Sequence, residues 1–294
     1  MKLNRLWPIA ALIGLAAVPL TRFEHAPAAA EPTRQNSPEP QGIPVEIIGH
    51  RGASYDAPEN TLASVNLAWK QGADAVEIDV RLTADGQIVA LHDDNTKRTG
   101  DVALPVVTRT LDELRAVDLG RWKHERFTGE RIATLDEILA TVPAGKRLFI
   151  EVKCGDEIVP ELKRALHESS LRPEQAAIIG FSRETMQAVK QAVPERKVYW
   201  IVRLRRHEET GELVPSLGNF IHRTKEAGLD GLDFGMSDAI NADLVREVKA
   251  AGLGVYVWTI NSADEARHLA GSGIEGITTD RPGWLRQQLE SSAE

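Results

Sequence analysis

Short apolar runs alternate with amphipathic stretches of helical period along most of the chain. This alternation is typical of a parallel β-sheet that is covered by helices. The apolar runs predict nine strands, at residues 45–50, 75–81, 88–92, 147–153, 176–181, 197–202, 231–234, 254–260 and 276–279. Helices are predicted between them at residues 61–71, 160–169, 183–192, 241–251 and 262–270.

Nine predicted strands are one more than a closed barrel of eight can hold. Only a short segment around the turn residues 83–86 separates the second and third strands, and it is too short for a helical crossover, so it predicts a hairpin. The other strands predict an α/β protein, a (β/α)8 TIM barrel over residues 43–290. A small insertion at 95–133, after the third strand-like segment, should contain a helix near 111–117. The competing fold, an open doubly wound sheet, usually carries a Gly-rich loop after its first strand, and that loop is missing here.

The first 30 residues have the order of a signal peptide. Lys2 and Arg5 precede an apolar run at 6–20, and small residues follow at 28–30. The apolar run is short for a spanning helix, although an uncleaved anchor also fits the pattern. Residues 31–42 are rich in Pro, Gln and Glu and predict a linker. We therefore expect an exported protein, periplasmic or secreted, whose N-terminal segment would bring it close to a membrane if retained.

Charge and cysteine content narrow the function classes. The net charge of −8 argues against a nucleic-acid partner, because binding to a phosphate backbone rests on clustered Lys and Arg. Cys154 is the one cysteine, so the fold contains no internal disulfide. The composition does not indicate an oligomeric state.

Acidic residues alternate with aliphatic ones on two predicted strands. Glu77 and Asp79 share one face of their strand, and Glu151 and Lys153 share one face of another. In a barrel the aliphatic face packs against the helices, so these charged residues should point inward. Three converging carboxylates suit a hard divalent cation such as Ca²⁺ or Mg²⁺. Alternatively, Glu151 forms an ion pair with Lys153 or Arg51, and Glu77 and Asp79 form ion pairs with other bases.

Two histidines follow predicted strands on the same side of the barrel. His50 ends the first strand, and His92 ends the hairpin, so both can reach the rim near the acids. Histidine changes charge near neutral pH and can act as general base or acid. Arg51 offers a planar fork suited to a phosphate, or a salt bridge to Glu59 or Glu77.

Several short motifs occur in order along the chain and together resemble the glycerophosphodiester phosphodiesterase family. The resemblance covers roughly residues 45–285. Its motifs are His50-Arg51-Gly52, Pro58-Glu59-Asn60-Thr61, Glu77-Ile78-Asp79-Val80, Asp85-Gly86, His92-Asp93, Glu151-Val152-Lys153, Trp258-Thr259-Ile260-Asn261 and Thr279-Asp280-Arg281-Pro282.

The resemblance implies metal-dependent hydrolysis of glycerophosphodiesters to glycerol 3-phosphate and an alcohol such as choline or ethanolamine. It implies Glu77, Asp79 and Glu151 as ligands of Ca²⁺ or Mg²⁺, and His50 and His92 as the acid–base pair. The attacking group is either a glycerol hydroxyl, which gives a cyclic phosphate, or water.

The resemblance further implies substrate-binding roles for Arg51, Lys153 and Trp258. Trp258 would form a wall on the glycerol or leaving-group side, or is a strand aromatic packed in the barrel. Glu59 would be a further metal ligand or the partner that orients Arg51. Asp280 is interpreted as a helix cap before Pro282. Phe181 and Phe234, near strand ends, are candidates for lining the pocket.

Two other functions compete with this one. A lysophospholipase D or sphingomyelinase-like activity is the nearest, because such lipid phosphodiesterases, like phosphatidylinositol-specific phospholipase C, are similar in site layout. A long apolar groove beside the site would favour it. The other is a noncatalytic exported barrel that binds phosphodiesters without turnover.

Overall fold

A computed structural model describes residues 45–291 of the chain. The predicted signal peptide at 1–30 and linker at 31–42 lie outside the described residues. Within 45–291, no helix combines the length and apolar character that crossing a membrane requires.

Eight parallel strands close into a barrel, and a ninth strand extends its rim. Strand β1 closes the barrel because it pairs in parallel with both β9 and β2. Strand β3 pairs antiparallel with β2, as the short turn predicts. The prediction of a (β/α)8 TIM barrel is therefore confirmed. In chain order the strands are β1 (Glu46–His50), β2 (Ala75–Leu82), β3 (Ile88–Ala90), β4 (Arg147–Val152), β5 (Ala176–Gly180), β6 (Lys197–Val202), β7 (Gly231–Gly235), β8 (Gly254–Trp258) and β9 (Gly276–Thr279).

Helices between the strands supply the outer layer of the barrel. Three of them, α3, α6 and α9, are absent from the sequence prediction. Helix α3 is too short to show a helical period. Helix α6 has polar residues at some of the positions where a helical period requires apolar ones, and α9 follows directly after the last strand. The helices are α1 (Leu62–Lys70), α2 (Leu111–Arg115), α3 (Leu135–Leu139), α4 (Val159–Glu168), α5 (Arg183–Ala192), α6 (Leu217–Glu226), α7 (Ala242–Ala250), α8 (Ala263–Gly271) and α9 (Pro282–Glu290).

The alternation along β2 separates the core from the site. Val76, Ile78 and Val80 are fully buried in the large apolar core between strands and helices. Glu77 and Asp79 take the alternate positions and therefore face the barrel interior. The aliphatic face supplies the burial energy, which leaves the inward face free for chemistry.

An aromatic layer fills the barrel below the acidic residues. The ring centroid of Phe149 lies 6.3 Å from that of Tyr199 and 5.1 Å from that of Tyr256. The guanidinium of Arg147 lies 4.8 Å from the centroid of Phe149. Because this layer fills the amino-terminal end, the barrel opens at the carboxyl ends of its strands, where sites of TIM barrels lie.

The insertion after β3 packs on its own apolar cluster. Leu114 of α2 and Ile132 are fully buried there against Val89 of β3. Isolated bridges, at Asn95 with Pro105 and Val89 with Thr134, replace longer strands. The insertion predicted at 95–133 thus has little strand structure, one short α-helix near its middle and two 3-10 turns, Val106–Thr108 and Glu125–Phe127.

Candidate active site

A cavity of about 190 Å³ opens at the carboxyl ends of the barrel strands. Of the predicted site residues, Asp79 lies fully buried beside the cavity, and Glu59 contacts Arg51 from outside it. The predicted residues that line the cavity are His50, Arg51, Glu77, His92, Glu151, Lys153 and Trp258.

Three buried carboxylates converge at the cavity floor. Glu77, Asp79 and Glu151 each offer an oxygen, and these oxygens lie within 4.8 Å of one another. Burial, with the Asp79 and Glu151 carboxylates, raises the pKa of Glu77 well above its ordinary value. Burial and the Asp79 carboxylate raise the pKa of Glu151 to about 7. Burial also acts to raise the pKa of Asp79, but Lys153 and Arg51 outweigh it and lower that pKa.

Two cations lie against this cluster. Lys153 Nζ is 3.1 Å from Asp79 Oδ1 and also pairs with Glu151. Arg51 Nε is 3.1 Å from Asp79 Oδ2, and Arg51 Nη1 donates to Glu59 Oε1 at 2.7 Å. The Glu151–Lys153 ion pair that the sequence offered as an alternative is therefore present together with the carboxylate cluster, whereas Asp79 pairs with Lys153 and Arg51 and, among the described residues, not with other bases.

The donor set fits a hard divalent cation. Glu77 Oε1 is a buried oxygen with no hydrogen-bond partner in the described part of the chain, and Asp79 Oδ1 and Glu151 Oε1 share the single ammonium of Lys153. A buried carboxylate oxygen without a partner is costly, and a hard cation binds such oxygens. The chain thus provides three converging ligands, and nothing in the donor set distinguishes Ca²⁺ from Mg²⁺.

His50 is held by an aspartate. Its Nδ1 lies 2.6 Å from Asp280 Oδ1, which also accepts from Ser54 Oγ, while Asn261 Nδ2 donates to Asp280 Oδ2. Burial acts to raise the pKa of Asp280, but the hydrogen bond and charge of His50, with Asn261 and Ser54, lower it to about 2. An ionised carboxylate only accepts, so Nδ1 carries the proton and Nε2 is left for the cavity.

The interpretation of Asp280 as a helix cap is wrong. The residue that precedes α9 at the cap position is Arg281, and no side chain caps that helix end. Asp280 instead contacts three side chains from other parts of the barrel, because it follows β9, the neighbour of β1. The sequence separation of 230 residues between His50 and Asp280 hid this contact.

His92 is also held by an aspartate, which is the next residue in the chain, Asp93. Its Nδ1 lies 2.7 Å from Asp93 Oδ1, and Arg98 Nε donates to Asp93 Oδ2 at 2.8 Å. The hydrogen bond from Arg98 is the main cause that lowers the pKa of Asp93 to about 2. Burial lowers the pKa of His92, against the opposing hydrogen bond to Asp93.

Arg98 links the insertion to the barrel. Besides Asp93, it donates to both carboxylate oxygens of Glu59, which also binds Arg51. Glu59 therefore lies between two arginines, which matches the orienting role among its two predicted roles. Sequence reasoning missed Arg98, since nothing in the local pattern at residues 95–100 points to the barrel.

Asp233 is a buried carboxyl that sequence reasoning also missed. It lies on the inward face of β7, lines the cavity, and its Oδ1 has no hydrogen-bond partner. Burial, with a contribution from Glu151, raises its pKa well above the ordinary value. Its position between Leu232 and Phe234, an acid flanked by apolar residues as in β2, was the available signal.

An aromatic pair and an arginine form the mouth of the cavity. Phe181 and Trp258 pack edge to face, with 5.7 Å between ring centroids. The guanidinium of Arg203 lies 5.0 Å from the Trp258 centroid and 5.8 Å from that of Phe181. Phe234, the other predicted lining residue, is fully buried in the outer core instead, because it lies on the opposite face of β7 from Asp233.

A parallel barrel with paired histidines, buried carboxylates and two cations at its carboxyl end defines an enzyme of the phosphoester-hydrolysing kind. The model of the Glycerophosphoryl diester phosphodiesterase family matches residues 50–284. The chain belongs to this family, and the predicted family and enzyme class are confirmed.

Relatives and solved structures agree with this assignment. The chain is 31% identical over 243 residues to the glycerophosphodiester phosphodiesterase of Caldanaerobacter subterraneus subsp. tengcongensis, covering 80% of this chain and 94% of the relative. It is 28% identical over 251 residues to the Bacillus subtilis enzyme of the same name, covering 80% and 83%. A phosphodiesterase from Oleispira antarctica, solved with the product sn-glycerol-3-phosphate, has a TM-score of 0.74 at 29% identity and covers 83% of this chain and 96% of its own.

Proposed function

We propose that this protein hydrolyses glycerophosphodiesters to glycerol 3-phosphate and an alcohol, by histidine acid–base catalysis beside a divalent cation. One observation carries the proposal: two aspartate-held histidines and three buried carboxylates meet in one cavity of a chain from this family. The product bound to the Oleispira antarctica relative supports glycerol 3-phosphate as the product.

Glu77, Asp79 and Glu151 would hold the cation, either Ca²⁺ or Mg²⁺. When bound, the cation offsets negative charge on the phosphoryl oxygens. Arg51 is fixed through Nη1 and Nε by Glu59 and Asp79, and neither contact uses Nη2. Nη2 can therefore donate to a phosphate oxygen, and Lys153 adds a second positive charge to the same cavity.

His50 and His92 carry the two proton transfers in this proposal. Each ring commits Nδ1 to an ionised aspartate, which leaves Nε2 to exchange a proton with substrate. One histidine takes the proton of the attacking hydroxyl, and the other gives a proton to the leaving alcohol. Both routes, attack by the neighbouring glycerol hydroxyl and attack by water, require these two transfers. A cyclic glycerophosphate seen by ³¹P NMR during turnover would identify the first route.

The lipid alternative depends on an apolar groove beside the site. A depression of about 500 Å³ adjoins the cavity at Phe181 and continues to Val214, Pro215 and Phe220, but Arg203 and Arg205 also line it. Two arginines interrupt the apolar lining, so we favour the water-soluble diester over a lysolipid. A lysolipid enters the experiment below as a competing substrate.

The decisive experiment measures glycerol 3-phosphate released from glycerophosphoglycerol and glycerophosphocholine by the full chain, with EDTA, Ca²⁺ or Mg²⁺. We expect turnover only with metal, and a loss of about 100-fold or more in His50→Ala and His92→Ala. A lysophosphatidylcholine arm tests the lipid alternative. Tight diester binding without turnover by folded, metal-loaded protein would support the binding barrel and contradict the proposal.

The p-nitrophenyl ester of glycerol 3-phosphate separates the two histidines. Its leaving group needs no proton, so the variant that lacks the general acid should retain most of its activity on this ester. The variant that lacks the base should remain inactive on both substrates. Equal losses on the ester would contradict the division into acid and base.

We further propose that the protein acts outside the cytoplasm, in the periplasm or after secretion. The support is the order of basic, apolar and small residues over positions 1–30. Fractionation of cells that express the full chain, with N-terminal sequencing of the product, tests this. Recovery of unprocessed protein from the cytoplasm alone would contradict export.

A further inference from the structure

The mouth of the cavity determines which alcohols the site accepts. Glycerol phosphate is common to all substrates of the proposed reaction, and the three carboxylates and both histidines lie where it must react. The alcohol varies, so it belongs at the open rim, where Phe181 and Arg203 are exposed. This inference rests on the proposed function and concerns its substrate class.

An aromatic pair at the rim usually favours substrates whose alcohol carries a positive charge. Trimethylammonium and ammonium groups bind to the faces of Trp and Phe rings through cation–π interactions. Trp258 and Phe181 would provide such a surface at the rim. Here the guanidinium of Arg203 already lies over both rings, 5.0 Å from one centroid and 5.8 Å from the other. A choline or ethanolamine headgroup would meet a like charge in this position.

The backbone of β7 makes room for this arrangement. Gly235 lies between Arg203 and Trp258, and a Cβ added to it would lie 3.3 Å from Arg203 Cγ and 3.5 Å from Trp258 Cζ2. Any larger side chain at residue 235 would therefore press the arginine away from the indole. The absence of a side chain at this position lets Arg203 lie beside Trp258.

The positive charge at the mouth is not neutralised. Within residues 45–291, no carboxylate forms an ion pair with Arg203, whereas its neighbour Arg206 pairs with Asp238. A guanidinium donates hydrogen bonds to hydroxyl oxygens or to an anionic group, and it repels a quaternary ammonium.

We propose that Arg203 is a specificity-determining residue that selects diesters whose alcohol is an uncharged polyol or an anion, and disfavours choline and ethanolamine. Glycerophosphoglycerol and glycerophosphoinositol represent the accepted class. In them the alcohol hydroxyls accept hydrogen bonds from Arg203.

The first test compares kcat/KM of the metal-loaded full chain for glycerophosphoglycerol and glycerophosphocholine. We expect a preference of about five- to tenfold for glycerophosphoglycerol, the size expected of one like-charge contact at a rim that is screened by water. Equal values, or a preference for glycerophosphocholine, would overturn the proposal without any variant.

Three variants test whether Arg203 causes the preference. Arg203→Gln removes the charge at the rim and uncovers Trp258, while Lys153 Nζ stays 5.6 Å from the centroid of Phe181. The preference should therefore disappear through a lower KM for glycerophosphocholine, which can then bind to the indole face. Arg203→Lys keeps a cation and should keep most of the preference. Arg205→Gln is the matched control: Arg205 lines the adjoining depressions but does not lie over either ring, and its loss should leave the ratio unchanged.

The outcomes separate this proposal from the proposed function. If no diester releases glycerol 3-phosphate, the proposed function fails. If diesters are hydrolysed but Arg203→Gln keeps the wild-type ratio, or Arg205→Gln loses it, the role of Arg203 is refuted while the proposed function stands.

Discussion

At the scale of single residues, Asp280 and Asp93 hold the two histidines by the same contact. In both pairs the imidazole Nδ1 lies against one carboxylate oxygen, and a cationic or amide side chain donates to the other oxygen. Each aspartate thereby sets the tautomer and the orientation of its ring. The sequence motif contains only the second pair side by side.

Asp280→Asn tests this contact for His50. The asparagine amide can donate to Nδ1 and so favours the tautomer in which Nε2 carries the proton. A protonated Nε2 cannot act as a base. We expect kcat to fall about 100-fold or more while KM changes by less than about threefold. Steady-state kinetics measure both, and Asp93→Asn is the matched change at His92. A wild-type kcat in Asp280→Asn would contradict the orienting role.

Asp233 should make stability depend on pH. Its pKa is raised in the folded protein, so the folded state holds a proton that the unfolded chain releases, and stability falls as pH rises from the ordinary value towards the raised one. Asp233→Asn cannot titrate. With EDTA present at pH 8, we expect the free energy of unfolding of Asp233→Asn to exceed that of wild type by roughly 1 kcal/mol. This difference corresponds to a melting temperature about 2 to 4 °C higher. The difference should vanish near pH 4, and a constant difference across this range would contradict the prediction.

At the scale of elements, the turn between β1 and α1 positions part of the site. Arg51 and Asn60 in this turn have φ of 54° and 58°. The Asn60 side chain donates to Asp79 Oδ2 at 2.8 Å and accepts from the Asp79 N–H at 3.0 Å. Helix α1 then begins at Leu62, with Thr61 as its N-cap. The turn therefore joins β1, β2 and α1 beside the carboxylates.

Asn60→Ala should destabilise the protein by about 2 to 4 kcal/mol, because both hydrogen bonds are lost and alanine is strained at this φ. Asn60→Gly loses the same bonds without the strain, so it should be more stable than the alanine variant by about 1 kcal/mol. Urea denaturation followed by circular dichroism measures both. Equal stabilities would mean that the turn relaxes away from the left-handed conformation.

At the scale of the whole molecule, the barrel brings like charges together at its open end. Three carboxylates from β2 and β4 share a buried site, and the packing of eight strands holds them there. Lys153 and Arg51 offset part of the repulsion. A bound cation would offset the rest and bind only the folded protein, so it should stabilise the fold.

Metal removal should lower the melting temperature. We expect Ca²⁺ or Mg²⁺ at about 100 times its dissociation constant to stabilise the EDTA-treated protein by about 2.7 kcal/mol. Glu151→Gln should lose most of this gain. Thermal denaturation monitored by circular dichroism gives both values. If the metals shift wild type and Glu151→Gln equally, they bind elsewhere.

Local pattern was enough for the barrel itself. Aliphatic alternation along β2 and β4 determines which residues enter the core, and the short turn before β3 allows only a hairpin. The antiparallel pairing of β2 with β3 and the inward direction of Glu77, Asp79 and Glu151 therefore follow from the sequence. These features depend on neighbours within a few positions.

Only the tertiary structure decided the contacts that complete the site. These contacts join residues that are 39 to 230 positions apart along the chain. They are the pairing of Asp280 with His50, the pairing of Arg98 with Glu59, and the placement of Arg203 over Trp258. A side chain's local pattern sets the face on which it lies, whereas its partner is set by how the closed barrel brings distant strand ends together. Asp280 contacts His50 because barrel closure places β9 beside β1. The local sequence before Pro282 does not contain this contact, so it indicated only a helix cap.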